Sequence, residues 1–276
     1  MGRAKLPREL LLTAFALVVS GLMFFPIYWL VVTSLRETAD LQSSSTLWPN
    51  PINPEGYGDV LSSPGMLQYL LNSVIYGAGA TLLTLLLAAP AAYALARLPI
   101  RGKVPALFTL LILQTFPAIM LAMPLFVMFS QLGMINNRLT VIIAIVTKSL
   151  PFAVLLLRPY LQSLPRELED AARVDGASRL TTLWRVILPL SLPGLITIAA
   201  FTFVQGWGDL LFSLTLLTEE SLRPISMGLY QYMGLYGVDW NQLMAASVIA
   251  SVPAVLVFFF AQRYLVGGLT QGAVNE

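Results

Sequence analysis

The sequence predicts an all-α integral membrane protein with six transmembrane helices. Of its 276 residues, 57% are hydrophobic and only 11% are charged, whereas a soluble domain carries about 25% charged residues. The apolar residues also form long runs, such as 78–92 and 252–261, that do not alternate with polar residues as the strands of a membrane barrel do. Such a chain cannot cover a water-facing surface, and its spans are predicted to be helices.

Six segments are long enough to cross the membrane, since about 20 mainly apolar residues span roughly 30 Å of hydrocarbon. The first follows a basic N-terminus but is too long for a secretory signal peptide. The later ones contain prolines, which membrane helices tolerate. The spans, within a single membrane domain of residues 1–276, are predicted at about 10–33, 70–96, 105–130, 138–158, 186–217 and 243–264.

The distribution of Lys and Arg predicts that both termini are cytoplasmic. These residues concentrate at the N-terminus, in the loops after the second and fourth spans, and after the sixth span. Cytoplasmic loops carry such an excess. The external segments are then about 35–68, rich in Pro and Gly turns, and about 218–242, rich in acids and aromatics. Segment 218–242 is either an interfacial aromatic belt or a surface that meets an external protein or sugar.

The composition excludes several classes of function. The chain has no Cys and no His, so it offers no disulfide, thiolate nucleophile, imidazole base or Cys/His metal site. No Gly-x-x-x-x-Gly-Lys-Ser/Thr loop is present, so the chain cannot hydrolyse ATP by itself. The net charge of +2 does not suggest nucleic acid. We therefore expect a membrane protein with no catalytic residue and no metal site.

The densest cluster of charge, residues 165–193, predicts a docking surface on the cytoplasmic side. Pro165 suits the first turn of a short helix, whose acidic residues would lie near its positive end. Gly176 is a natural stop, and Ser178 can cap the next helix. That second helix has an apolar stripe with the spacing i, i+3, i+4 and i+7, so it should lie in the membrane interface. The stripe consists of Leu180, Leu183, Trp184 and Ile187.

This stretch resembles the EAA loop of permease subunits from ATP-binding-cassette (ABC) importers. The family pattern is Glu-Ala-Ala, then Gly after three residues, then Ile-x-Leu-Pro after nine more. Asp170 stands here for the Glu and Val186 for the Ile, whereas Gly176 and Leu188-Pro189 match. Three other segments, 93–97, 207–211 and the ending 262–274, resemble carbohydrate-importer permeases of the MalG type.

The resemblance implies a type I ABC importer permease fold in the bacterial cytoplasmic (inner) membrane. The chain would form half of the translocation pathway for a sugar or sugar derivative, of the di- or oligosaccharide or glycerol phosphate type. Its partners would be a second, MalF-type permease subunit, a dimeric ATP-binding subunit, an extracytoplasmic substrate-binding protein and membrane lipid. This chain would bind no cofactor, because ATP and Mg would be held by the ATPase.

The resemblance also implies roles for particular residues. The coupling loop, about 163–185, and the Leu-Pro that follows it would dock on the ATPase, where Glu169 and Asp170 would pair with basic groups. The tail, about 267–276, would reach between the two ATPase subunits. The coupling residues are Glu169, Asp170, Ala171, Ala172, Asp175, Gly176, Leu188 and Pro189, and the tail residues are Gly268, Leu269, Thr270 and Gln271.

Polar residues within the spans are candidates for the substrate pathway, because such residues usually face a cavity or a partner helix. The candidates are Gln114, Gln205, Trp207 and Asp209. Gly206 and Gly208 would allow an unwound helix around them, and Lys148 could pair with Asp209. An interhelical hydrogen-bond network explains these residues equally well. The alternative function, an ion-coupled secondary transporter, would require an internal repeat and several mid-membrane carboxylates; only Asp209 fits.

Overall fold

A computed structural model of the chain describes residues 5–39, 46–234 and 237–271. These residues are mostly helical, which confirms the predicted all-α fold. The strands among them form one antiparallel pair of two residues each, β1 (Met233–Gly234) and β2 (Gly237–Val238).

The helices in chain order are defined here by their bounds. They are α1 (Lys5–Ser34), α2 (Glu55–Ser62), α3 (Met66–Arg97), α4 (Lys103–Thr115), α5 (Ala118–Gln131), α6 (Arg138–Ser163), α7 (Glu167–Val174), α8 (Arg179–Leu190), α9 (Leu192–Trp207), α10 (Leu211–Leu216), α11 (Ile225–Gly228) and α12 (Trp240–Gln271), with 3₁₀ turns at Glu220–Leu222 and Leu229–Tyr232.

Four of the described helices are continuous, long and apolar enough to span a membrane: α1, α3, α6 and α12. Two bent pairs of helices would raise the number to six if each pair forms one span. In the first pair α4 and α5 meet at 98°, and in the second α8 and α9 meet at 82°. The six-span topology and the cytoplasmic termini therefore stay predictions.

The third and fifth predicted spans, about 105–130 and 186–217, are not single straight helices. Phe116, before Pro117, has an extended backbone (φ −66°, ψ 126°), because a residue before proline is disfavoured in the helical region. The fifth span bends at Ser191 and is interrupted again between Trp207 and Leu211. Gly208 lies in that second interruption, as the sequence predicted, but Gly206 lies within α9.

The chain divides into two compact units, each with its own internal contacts. The first comprises Met1–Pro64 and Leu229–Ser251. Within it the buried amide of Asn241 donates hydrogen bonds to the carbonyl oxygens of Ser34 (3.1 Å) and Arg36 (2.8 Å). An unpaired buried carbonyl costs free energy, so Asn241 stabilises the chain where it leaves α1.

The second unit, Gly65–Gly228 with Val252–Glu276, is built around α3, which packs against α6 and α9. The crossing of α3 and α9 is unusually close: a Cβ added at Gly206 would lie 2.8 Å from the Cα of Gly77 and 3.0 Å from the carbonyl oxygen of Tyr76. Small residues allow membrane helices to approach in this way.

Two apolar clusters fill this second unit. One contains Tyr93, Leu157, Ile187 and Ile198. It lies at the C-terminal end of α3 and includes residues of the docking stretch. The other contains Tyr76, Phe129, Val141 and Phe212. The first cluster therefore packs the docking stretch against the transmembrane helices.

Candidate functional site

The docking helix α7 has well-defined ends. The carbonyl oxygen of Arg166 accepts hydrogen bonds from the backbone of Glu169 (2.9 Å) and Asp170 (3.2 Å) at its start. At its end the N–H of Gly176 bonds to the carbonyl of Arg173 (3.0 Å), and the N–H of Ala177 to that of Ala172 (2.9 Å). This is a Schellman motif, with Gly176 in the left-handed region at φ +77°. The helix ends where the sequence predicts.

The two faces of α7 differ sharply. Asp170 and Ala171 are exposed, and Val174, one turn further on, is 88% exposed. Glu169 and Ala172 are buried on the opposite face. The two alanines of the motif thus have different environments. Ala172 packs inward, whereas Ala171 belongs to an open surface with Asp170 and Val174, which we call the docking face.

Glu169 does not lie on the docking face, which corrects the expectation that it joins Asp170 in the groove of a partner. Neighbouring residues of a helix point about 100° apart, since one turn takes 3.6 residues. Glu169 Oε1 lies 3.1 Å from Nε of Arg97, and Glu169 Oε2 accepts a hydrogen bond from the hydroxyl of Tyr93 (3.0 Å). Asp170 pairs only on the surface, with Arg173 at 3.1 Å.

The second helix, α8, is less regular than predicted. The Ser178 side chain accepts a hydrogen bond from the N–H of Thr181, as predicted for a cap. The middle turn, Leu183–Ile187, is a π-helix. The expected apolar stripe is divided: Leu183 and Ile187 are buried in the core, whereas Leu180 and Trp184 are exposed.

Leu188-Pro189 does not end this helix. Leu188 is buried in the apolar cluster, Pro189 is exposed, and α8 continues to Leu190. The predicted tail begins as helix, because α12 is helical through Gln271 and so includes Gly268, Leu269 and Thr270. The rest of the tail, 272–276, lies outside the described residues.

Two of the four pathway candidates, Gln205 and Asp209, line one cavity of about 270 Å³. Lys148 and Ser149, on α6, lie on its opposite wall. The Asp209 carboxylate accepts hydrogen bonds from Ser213 N (2.9 Å) and Oγ (2.8 Å), so it caps α10. Among the described side chains no ion pair within 4.0 Å joins Lys148 to Asp209, and Lys148 is exposed.

The other two candidates are not part of this cavity. Trp207, expected to present a flat face to a sugar, is 4% exposed and stacks on Phe203 with ring centroids 6.1 Å apart. Gln114 is exposed near the end of α4 and does not line the cavity. The sequence placed Lys148 opposite Asp209, and both line this cavity. It did not identify Ser149, because facing positions on two helices cannot be read from one helix alone.

Asn72, a polar residue within the second predicted span, belongs to an interhelical hydrogen-bond network. Its buried amide donates to the carbonyl oxygens of Ser221 (2.8 Å) and Arg223 (3.0 Å), and its Oδ1 accepts from Nη2 of Arg138 (3.0 Å). The hydroxyl of Tyr76 donates to the next carbonyl, that of Leu222 (2.7 Å). Helix α3 therefore holds the first part of segment 218–242 in a fixed position.

Residues 85–271 match the model of a protein family described as binding-protein-dependent transport system inner membrane component. The chain is 34% identical to the trehalose/maltose transport system permease protein MalG of Thermococcus litoralis, over 99% of each chain. It is 33% identical to the sulfoquinovosyl glycerol transport system permease protein SmoH of Agrobacterium fabrum, over 96% of this chain and 92% of that one.

The fold also resembles a solved structure. A chain of a bacterial ABC transporter involved in the import of the acidic polysaccharide alginate superposes with a TM-score of 0.82, at 24% identity, over 96% of this chain and 98% of that one. The predicted permease fold is confirmed by this likeness.

Proposed function

The chain belongs to the family of binding-protein-dependent transport system inner membrane components, and on that premise we propose that it is the permease subunit of an ABC importer for carbohydrates. It is a membrane transport component, not an enzyme. Relatives named for trehalose and maltose, for sulfoquinovosyl glycerol and for diacetylchitobiose support the carbohydrate class. The alternative, an ion-coupled secondary transporter, is not favoured.

The docking face carries the proposal that the chain is driven by a separate ATPase. Val174, 88% exposed, lies on the same side of a short helix as the exposed Asp170 and Ala171 of the motif. The C-terminal turn at Gly176 fixes the direction of this helix. We propose that Asp170, Ala171 and Val174 dock in a groove of a dimeric ATP-binding subunit, with Asp175 and Gly176 at the rim. Leu188 and Pro189 support the loop from behind.

The other partners follow from the proposed topology of six spans with both termini cytoplasmic. A second permease subunit would complete the translocation pathway. An extracytoplasmic substrate-binding protein would contact segment 218–242, whose first part is fixed on α3 through Asn72 and Tyr76. The α12 tail, Gly268–Gln271 and beyond, would reach the ATPase. The chain would need no cofactor of its own, because ATP and Mg would belong to the ATPase.

Changing the docking face should separate this chain from its ATPase. In Val174→Asp we expect ATPase co-purification and ATP-driven uptake in proteoliposomes to fall by about tenfold or more, because a central apolar contact is worth about 2 kcal/mol or more. Leu61→Asp, at another exposed apolar position, is the matched control and should keep both activities. An unchanged Val174→Asp complex would contradict the docking proposal.

We propose that the cavity between α6 and α9 lies on the sugar pathway. Sugars require hydrogen-bond donors and acceptors at their hydroxyl groups, and Gln205, Lys148 and Ser149 offer both kinds beside the capped carboxylate of Asp209. Because Asp209 is already hydrogen-bonded within the chain, Gln205 and Lys148 are the side chains best placed to contact a passing sugar.

Gln205→Ala should weaken transport at this point of the pathway. Loss of one hydrogen bond, worth about 1 kcal/mol, should raise the apparent KM for uptake about fivefold. The measurement uses radiolabelled maltose, trehalose and diacetylchitobiose in turn. Gln114→Ala, a glutamine in a transmembrane segment outside the cavity, is the control. Equal KM values for the two variants would contradict the proposal that the cavity lies on the sugar pathway.

A further inference from the structure

A buried polar cluster joins the docking helix to a transmembrane helix. The side chains of Arg97 and Glu169 are only 5% and 7% exposed, and the Tyr93 ring is buried beside them. Tyr93 and Arg97 lie one turn apart at the end of α3, while Glu169 comes from α7. An unpaired buried charge is costly, so the ion pair with Arg97 and the hydrogen bond from Tyr93 favour this position of Glu169 against α3.

The same arginine also binds the chain that leads into the docking helix. The Nη2 group of Arg97 donates a hydrogen bond to the carbonyl oxygen of Leu164, the residue that follows α6. Arg97 thus contacts the docking stretch both just before α7, at Leu164, and within α7, at Glu169. A shift of α7 relative to α3 would break both contacts together.

Helix α7 contacts the first turns of α8, Arg179–Ile187. Of the residues that α7 buries, Glu169 and Ala172, the alanine removes little apolar area from water. The contacts of Glu169 are therefore the specific polar attachment of α7 to α3. The outward face of the same helix is the docking face, so a force applied there acts directly on this attachment.

From this geometry we propose that Glu169, Arg97 and Tyr93 form a latch that carries movement of the docking helix into α3. Glu169 is then a positioning residue that acts within this chain, not a contact to the ATPase. The proposal rests on the proposed function, since it assumes that an ATPase moves α7.

The other end of α3 contacts residues 221–223, to which movement of α3 would be transmitted. Helix α3 is continuous from Met66 to Arg97, and the 25 residues between Asn72 and Arg97 correspond to roughly 37 Å at 1.5 Å per residue. At that far end Asn72 and Tyr76 hold the carbonyl oxygens of residues 221–223. Movement at the latch should therefore reach residues 221–223.

The test uses the full transporter in proteoliposomes: this chain, the second permease, the ATPase and the binding protein. In Glu169→Gln, which preserves the shape of the side chain and removes its charge, we expect the ATPase to co-purify normally. Stimulation of ATP hydrolysis by the sugar-loaded binding protein, and uptake per ATP hydrolysed, should fall about tenfold, within the usual range of coupling between sites. The double variant Arg97→Glu with Glu169→Arg should restore part of this loss.

Controls separate the latch from simpler explanations. Arg101→Gln removes an exposed positive charge four residues after Arg97 and should leave coupling unchanged. If Glu169→Gln loses the ATPase during purification, Glu169 is a direct contact and the latch is wrong. The latch is also wrong if Glu169→Gln lowers the melting temperature while uptake per ATP stays normal. If Glu169→Gln does not fold, Tyr93→Phe, which removes one hydroxyl, is measured by the same criteria.

Failure of the latch differs from failure of the proposed function. If the wild-type complex itself shows no ATP-driven uptake of any sugar, the proposed function fails. If the wild type transports and both Glu169→Gln and Tyr93→Phe couple normally, only the latch is overturned.

Discussion

Replacing Gly176 with valine should abolish transport while the protein still inserts into the membrane. Gly176 ends the docking helix at φ +77°, a region that costs an L-residue about 1–2 kcal/mol and a β-branched one more. The Schellman bonds from Gly176 and Ala177 would be lost or displaced, and the docking face would change its direction. We expect uptake to fall at least about tenfold, since 1.4 kcal/mol is one factor of ten.

Gly133 provides a closely matched control. It follows α5 at φ +66°, and its neighbours form the same pair of bonds, from Gly133 N to Ser130 O (3.1 Å) and from Met134 N to Phe129 O (2.9 Å). A Cβ meets nothing within 4 Å at either glycine. Gly133→Val therefore imposes similar strain away from the docking stretch and should keep most of the uptake. Uptake is measured against the amount of each variant in purified membranes. Normal transport by Gly176→Val would contradict the role of this turn.

Replacing Gly206 with leucine should prevent the second unit from folding. The added Cβ would lie 2.8 Å from a backbone atom of Gly77, and a backbone cannot turn away as a side chain can. Overpacking commonly costs about 1–3 kcal/mol, occasionally more. The smaller change Gly206→Ala is the more informative one. Helix propensity alone would make it stabilising by roughly 1 kcal/mol, whereas the close crossing predicts destabilisation.

The melting temperature of the purified subunit in detergent tests whether Gly206→Ala stabilises or destabilises the protein. Gly21, in the middle of α1, has nothing within 4 Å of an added Cβ, so Gly21→Ala and Gly21→Leu are the controls and should not lower the melting temperature. A Gly206→Ala variant that melts at or above the wild-type temperature would show that α3 and α9 do not cross as closely as described.

Much of the fold could be predicted from composition and apolar runs. Long apolar segments predict helices wherever they occur, because an unpaired backbone group in hydrocarbon costs several kcal/mol. What these segments do not show is where a helix breaks. A helix does break before Pro117, with a bend of 98°, and at Ser191, with a bend of 82°. Pro90, Pro151 and Pro253 lie within helices that continue through them.

In the docking stretch too, some features could be predicted from the sequence and others depend on tertiary contacts. Its helix, the Gly176 stop and the Ser178 cap follow from local backbone chemistry and were predicted. The burial of Glu169 beside the exposed Asp170 was not predicted, because it depends on Arg97 and Tyr93, which lie about 70 residues earlier in the chain. Likewise, Lys148 and Gln205 line one cavity because α6 and α9 pack against each other and against α3.

The sequence by itself determined that this chain is a helical membrane protein with a charged docking stretch and no chemistry of its own for ATP hydrolysis. Those properties depend on the hydrophobicity of the residues and on local turn propensities. Both can be read from the order of residues along the chain. Only the tertiary structure decided that Trp207 packs inside, that Gln205 lines a cavity, and that Glu169 is tied to α3. Each of these depends on contacts between residues that are distant in sequence. Such contacts form, and stabilise the protein, only when the helices are packed.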